Sequence, residues 1–301
     1  MISIKRILCP IDFSDASRHA IDHAIAMARW TKASLACLHV YELPLAALGL
    51  PAVGERATEA DIKRLHDEVC RSFEPAKAAG VPVDFFIDIG QPVRRILERA
   101  AGLPADVIVM GTHGAGGFEH LVLGSVAEKV LRKAPCPVLT VPPRAATTSR
   151  LPFRHLVCAV DFSDSSLTAV ELAWSIAEEC HASLTLLHVI EWPWEEPPAP
   201  RYEELPSHQA AALLEYRRDL EKRFMGRLKE LIPESLRDGS LVDTRVRHGK
   251  SYVEILRIGA EVHADLIVIG VHGRNAPDLL FGSTTNQVVR GASCPVMTLR
   301  R

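Results

Sequence analysis

Residues Ala105 to Gly114 read ADVIVMGTHG, and residues Ala264 to Gly273 read ADLIVIGVHG. Each copy is a short, almost continuously apolar run ending in a Gly-x-x-Gly turn, the pattern of a strand buried on both faces of a parallel sheet. The match extends outward from there. ILCPIDFS over 7–14 returns as LVCAVDFS over 156–163, and APCPVLTV over 134–141 returns as ASCPVMTL over 292–299. The offset is 149 at Asp12/Asp161 and 159 at Gly111/Gly270. Such a period is too long for a solenoid unit and fits two copies of one whole domain.

The 301 residues are 48% hydrophobic and 24% charged, enough for two cores of ordinary size. With 35 Lys+Arg against 37 Asp+Glu, no general pull toward nucleic acid or an anionic membrane is expected, so an anion site must be local. The opening MISIKRILCPID passes directly into repeated sequence without the apolar core of a secretory signal, and no run reaches the about 18 apolar residues of a membrane span. A cytoplasmic location is expected. Seven cysteines with no Cys-x-x-Cys pair argue against a disulfide framework and a structural zinc site. Cys9, Cys158, Cys136 and Cys294 sit in matched strands or just before them and read as small core residues.

Val/Ile/Leu-rich runs predict five strands in the first half, over Ile4–Ile11, Ser34–Tyr41, Pro82–Ile89, Asp106–Met110 and Pro137–Val141. Helical spacing predicts helices over Asp15–Thr31, Glu59–Ala79, Val93–Ala101 and Ser125–Lys133. The second half repeats the plan, with strands over Arg154–Val160, Ser183–Ile190, Val242–Arg247, Asp265–Ile269 and Pro295–Leu299. Its helices are predicted over Ser165–Cys180, His208–Leu231, Tyr252–Val262 and Ser283–Arg290. Strict alternation of apolar strand and helix implies an α/β fold: in each half, a doubly wound parallel sheet covered on both faces, with ligands at the carboxyl ends of the strands. Pro142-Pro143 stops a strand and an aperiodic polar stretch follows, dividing the chain into domains 1–144 and 153–301 with a linker at 145–152. The extra residues of the second half fall mostly in the Trp- and Pro-rich stretch 191–207 at the ligand-binding rim, read as an ordered surface loop or, alternatively, a lid or partner surface.

The chemistry concentrates in Gly111-x2-Gly114-x9-Gly124-Ser125. Glycines at a strand end permit turns closed to other residues and leave amides uncovered, and a helix start adds unpaired N–H groups and a positive dipole end. Amides near Gly111 and Gly124, with the Ser125 hydroxyl, are therefore expected to grip a phosphate tail. Asp12 and Asp161, at the ends of the first strands, are placed either to accept a hydrogen bond from a ribose or base, or to cap the helix that follows, a task Ser14 or Asp15 could also perform. His113 and His272 lie inside the glycine loops without a coordination set around them, so no metal site is assigned. His39 and His188 read as satisfied interior residues. Arg94, Arg95 and Lys250 could approach a phosphate or face solvent.

IKRILCPIDFSDASRHAIDHA over 4–24, DVIVMGTHG over 106–114, LVLGSVAEKVLRKAPCPVLTV over 121–141 and their second copies resemble the universal stress protein family. The glycine motif resembles that of its ATP-binding branch. The resemblance implies strand order 3-2-1-4-5 and ATP, with Mg2+, held with its adenine between the ends of the first two strands. It implies Pro10, Ile11, Asp12 and Val40 around adenine and ribose, Met110 and Gly111 near the α-phosphate, and Gly114, Gly124, Ser125 and Val126 around the phosphates. The second-half counterparts are Ala159, Val160, Asp161, Val189, Ile269, Gly270, Gly273, Gly282, Ser283 and Thr284. There the loop is one residue shorter and contains Pro277, which has no N–H. The family's single-domain members pair through their last strands, so Val138–Val141 and Val296–Leu299 are expected to join the halves as an intramolecular pseudo-dimer, with a homodimer also open.

Three functions follow from these residues. The first is a nucleotide-binding stress protein that senses or buffers ATP and changes a regulatory partner accordingly. The second is a slow ATP hydrolase or adenylate-transferring enzyme, although neither half carries an SGG-x-D-S or GxxxxGK[ST] loop. The third is a nucleotide-free interaction module.

Overall fold

In the computed structural model the described residues are 4–42, 57–113, 123–143, 145, 151–191, 207–234, 241–273 and 282–300. The first half contains β1 (Arg6–Ile11), α1 (Asp15–Thr31), β2 (Ser34–Tyr41), α2 (Glu59–Ser72), α3 (Glu74–Ala78), β3 (Val83–Ile89), α4 (Pro92–Gly102), β4 (Val107–Gly111), α5 (Ser125–Lys133) and β5 (Val138–Val141). The second contains β6 (His155–Ala159), α6 (Asp164–Cys180), β7 (Ser183–Ile190), α7 (Ser207–Glu230), β8 (Val242–His248), α8 (Ser251–Glu261), β9 (Leu266–Gly270), α9 (Ser283–Gly291) and β10 (Val296–Leu299). The Trp- and Pro-rich stretch beyond Glu191 and most of the expected linker lie outside the described residues.

The strands form one sheet in the order β3-β2-β1-β4-β5-β10-β9-β6-β7-β8, so each half has the expected order 3-2-1-4-5 and the second is added in reverse. Pairing is parallel within each half. Where the halves meet, β5 and β10 run antiparallel, with Leu139 opposite Met297. The two last strands thus cover each other's edges, as an unpaired edge requires. Two fully buried threonines finish the seam: Thr140 Oγ1 donates to the Val296 carbonyl at 3.1 Å, and Thr298 Oγ1 to the Val138 carbonyl at 3.4 Å.

Successive strand residues point to opposite faces, and both faces are buried. Ile7, Cys9, Leu35 and Cys37 pack on the side covered by α1, while Leu8, Ala36 and Leu38 pack with Ile96 of α4 and Val130 of α5. The four buried thiols Cys9, Cys37, Cys158 and Cys294 behave as apolar filler, and burial pushes Cys9 up to about 12. Cys136 is only half-buried.

The helix predicted over Glu59–Ala79 is two helices, broken at Phe73 (φ −108°, ψ 10°). Pro75 is the cause: in a continuous helix its ring would meet the Arg71 carbonyl, and its missing N–H would leave that carbonyl unpaired. The break still buries Phe73 completely.

Candidate functional site

At the end of β1 the chain turns through Phe13, a non-glycine residue at φ 63°, and the second half repeats this at Phe162, also φ 63°. A left-handed phenylalanine costs of order 1 kcal/mol, and the packing beneath it holds it in place. The Phe13 ring lies 4.6 Å from that of His39, whose Nδ1 donates to the Ile11 carbonyl at 3.0 Å. Phe162 and His188 repeat the arrangement at 5.0 Å, with His188 Nδ1 donating to the Val160 carbonyl at 2.7 Å. Both histidines are hydrogen-bonded as expected, but only His188 is fully interior; His39 is half-buried. Burial holds His39 below its usual pKa, which keeps it neutral.

This turn delivers Asp12 to the carboxyl end of the sheet. Ser14, not Asp12, caps α1: its hydroxyl accepts from the Ser17 N–H at 3.2 Å. Asp12 orients the cap instead. Its Oδ1 accepts from the Ser14 N–H at 3.1 Å, from the Ser14 hydroxyl at 2.6 Å and from the Ser17 hydroxyl. Asp161 likewise accepts from Ser163 N–H at 2.9 Å and its hydroxyl at 2.5 Å, and Ser163 caps α6. Ser17, the third residue of α1, was not singled out by the sequence pattern.

The glycines do different work from one another. A Cβ on Gly111 would lie 2.9 Å from the backbone of Ala16, and one on Gly270 would lie 2.9 Å from the Ser165 backbone and closer still to its hydroxyl oxygen. Neither has a positive φ. At both positions the first turn of α1 or α6 crosses the strand end at contact distance and leaves no room for a side chain. Gly124 and Gly282, at φ −59° and −58°, also have ordinary backbones. Their amides are not bare, as expected from sequence, but donate to the Thr112 carbonyl at 2.9 Å and the Val271 carbonyl at 3.0 Å. Those bonds tie the starts of α5 and α9 to the strand ends.

Among the described residues, the amides without a backbone acceptor begin one residue later. Neither α5 nor α9 has a side-chain cap, and the first intrahelical bonds are Glu128 N–H to Gly124 and Asn286 N–H to Gly282. The amides of Ser125, Val126 and Ala127, and of Ser283, Thr284 and Thr285, lie ahead of those bonds. They are backed by the positive end of the helix dipole, where an anion is stabilised.

Each half has a cavity in front of these amides. The first, about 600 Å³, is lined by Pro10, Ile11, Asp12, Val40, Met110, Gly111, Gly124, Ser125 and Val126 of the predicted set, and in addition by Ser17, Leu38, Glu42, Pro92, Ile96, His113, Leu123 and Ala127. Gly114 lies outside the described residues. The second, about 730 Å³, is lined by all ten predicted residues, Ala159, Val160, Asp161, Val189, Ile269, Gly270, Gly273, Gly282, Ser283 and Thr284. Ser166, His188, Glu191, Phe224, Ser251, Ile255, His272 and Thr285 join them. Both volumes suit a small organic ligand. His113, half-buried, has its Nδ1 2.8 Å from Thr112 Oγ1. Arg94 and Arg95 pair with Glu98 and do not line the cavity. Lys250 is the uncapped N-cap residue of α8 and does not line the second. Among the described residues no three His, Cys, Asp or Glu side chains converge to hold a metal ion, and no helix is long and apolar enough to cross a membrane.

A strand-end carboxylate and a bare helix start facing one cavity, both present twice, give a site definite enough to compare with known proteins. The model of the universal stress protein family matches residues 3–142 and again residues 152–300. The chain belongs to the universal stress protein family. Among curated relatives, a universal stress protein of Methanocaldococcus jannaschii is 37% identical over 139 residues, 46% of this chain and 81% of the relative. One from Thermus aquaticus is 41% identical over 138 residues, 46% of this chain and 98% of the relative. These relatives correspond to one half of this tandem universal stress protein. The crystal structure of a universal stress protein from Archaeoglobus fulgidus follows the fold over 98% of both chains, with TM-score 0.63 and 22% identity.

Proposed function

We propose that this universal stress protein binds ATP in its first cavity and uses its occupancy to sense or buffer adenine nucleotide, changing its contacts with a regulatory partner in the cytoplasm. The observation that carries the reading is the start of α5. Its residues Ser125, Val126 and Ala127 line a cavity shared with the apolar side chains of Pro10, Ile11, Leu38, Val40 and Met110 and with Asp12. Polyphosphate suits the helix start, a flat base suits Pro10, Ile11, Leu38, Val40 and Met110, and Asp12 suits a ribose hydroxyl. The second cavity, with the hydroxyls of Ser283 and Thr284 at the same place, is the counterpart site.

Mg2+ would enter as the counterion of the phosphates. A bound ion would neutralise charge between the phosphate oxygens and reduce the repulsion that Asp12 would otherwise exert on them. The protein's part is to bind and orient.

Thermal unfolding with and without Mg-ATP tests the reading. A ligand present at a hundred times its Kd adds about 2.7 kcal/mol to stability. An unchanged melting temperature at millimolar Mg-ATP would refute it, whereas release of ADP at many turnovers per second would replace the sensor with an enzyme.

A further inference from the structure

Away from the helix starts the two cavities differ, among other places, at the matched positions Pro92 and Ser251. Strand alternation puts Leu38, Val40 and Glu42 on one face at the end of β2, and all three line the first cavity. Leu187, Val189 and Glu191 repeat this at the end of β7. In the second half the glutamate is already engaged: Glu191 Oε1 accepts from the Ser251 N–H at 2.6 Å. Ser251 is the first residue of α8, whose N-cap Lys250 makes no side-chain capping bond, so Glu191 acts as the cap.

In the first half the residue matching Ser251 is Pro92, in the first turn of α4. Proline suits that position and has no N–H to offer. Glu42 consequently has no hydrogen bond or ion pair among the described residues, although it is half-buried on the wall of the cavity beside Pro92 and Ile96. A carboxylate held against an apolar wall is stabilised by any donor that a ligand brings to it. Glu42 directly follows β2, the strand that carries Val40, and β2 is separated by β1 from β4, the strand that leads to the start of α5, so the donor belongs to the base.

Resting on the reading of this cavity as an adenine-nucleotide site, we propose that Glu42 sets base specificity by accepting a hydrogen bond from the exocyclic amine of adenine. We further infer that the second cavity lacks this selection because Ser251 engages Glu191.

The test compares ATP with purine riboside triphosphate, which carries hydrogen in place of the amine, by calorimetric titration. Ser283→Asp serves as the background, to silence the second cavity. The protein is expected to bind ATP about tenfold more tightly than the analogue, the size of one charge-assisted hydrogen bond. Glu42→Ala is expected to weaken ATP about tenfold and leave the analogue unchanged, with Glu42→Gln in between. Equal weakening of both ligands, no weakening of either, or a loss that follows the 2′-hydroxyl when 2′-deoxy-ATP is used would overturn the proposal. Binding of neither triphosphate by the parent protein would overturn the nucleotide reading itself, which separates the two failures.

Discussion

The first and second cavities share their phosphate-facing end and differ at the other. At α5 and α9 the geometry is the same to the level of single bonds: glycine amide to strand carbonyl, no side-chain cap, serine next. Away from it, the second cavity gains an aromatic wall. Phe224 of α7 lies 4.2 Å from His188 and stacks at 5.9 Å on Phe162, with the Arg227 guanidinium 3.8 Å over the Phe162 ring. The first cavity has no counterpart to Phe224 among its described lining residues, and its Glu42 has no partner among the described residues where Glu191 is bound. The shared end is set by backbone geometry, and the differing end by side chains.

The largest expected effect breaks the shared end. Ser125→Asp places a carboxylate at a helix start, where it stabilises the unliganded protein by about 0.3–1 kcal/mol yet repels phosphate. It should remove the roughly 2.7 kcal/mol of ATP stabilisation expected of the first cavity. Calorimetry with Ser125→Asp and Ser283→Asp, separately, would apportion binding between the halves. Loss of ATP binding only in Ser283→Asp would reverse their assigned ranks.

Next come the packing glycines. Gly111→Ala and Gly270→Ala should each destabilise by about 1–3 kcal/mol in urea unfolding, the usual cost of overpacking, because each new methyl meets the backbone of a helix at 2.9 Å. Intact stability with lost ATP binding would mean that these glycines serve the ligand after all. At the seam, Thr140→Val should cost about 1 kcal/mol and Thr298→Val less, since its bond is longer by 3.4 Å against 3.1 Å.

The smallest effect concerns pH. His39 is depressed below its usual value by burial, so the unfolded chain takes up a proton at a higher pH than the folded one. Its contribution to stability is full above pH 6.5, declines as pH falls below that value, and is gone once pH passes below the folded pKa. His39→Gln should flatten the fall of melting temperature between pH 7 and 5. His23, depressed in the same way, leaves part of the slope.

Much of this was legible in the residues themselves. The repeated apolar runs gave the central strands, because a strand buried on both faces has no polar position to disguise it, whereas the edge strands β3 and β8 carry exposed polar residues and were legible from their place in the repeat. Duplication supplied an internal control, so Asp12 and Asp161 pointed to one place. The break at Pro75 was overlooked because apolar spacing continues across it; the missing N–H, not the pattern, ends the helix. The tasks of the glycines were not legible either, since a motif records that a side chain is absent and not which neighbour excluded it. Glu42, Pro92 and Phe224 were missed for a related reason: they reach the cavities from elements far apart in sequence, and only the register of β2 on β3 and the docking of α7 bring them in.

A crystal structure with a non-hydrolysable ATP analogue and Mg2+ tests the central claim most directly. The account predicts phosphate oxygens within hydrogen-bond reach of the Val126 and Ala127 amides, with the base against Val40. A nucleotide bound elsewhere, or phosphates directed away from the start of α5, would contradict it.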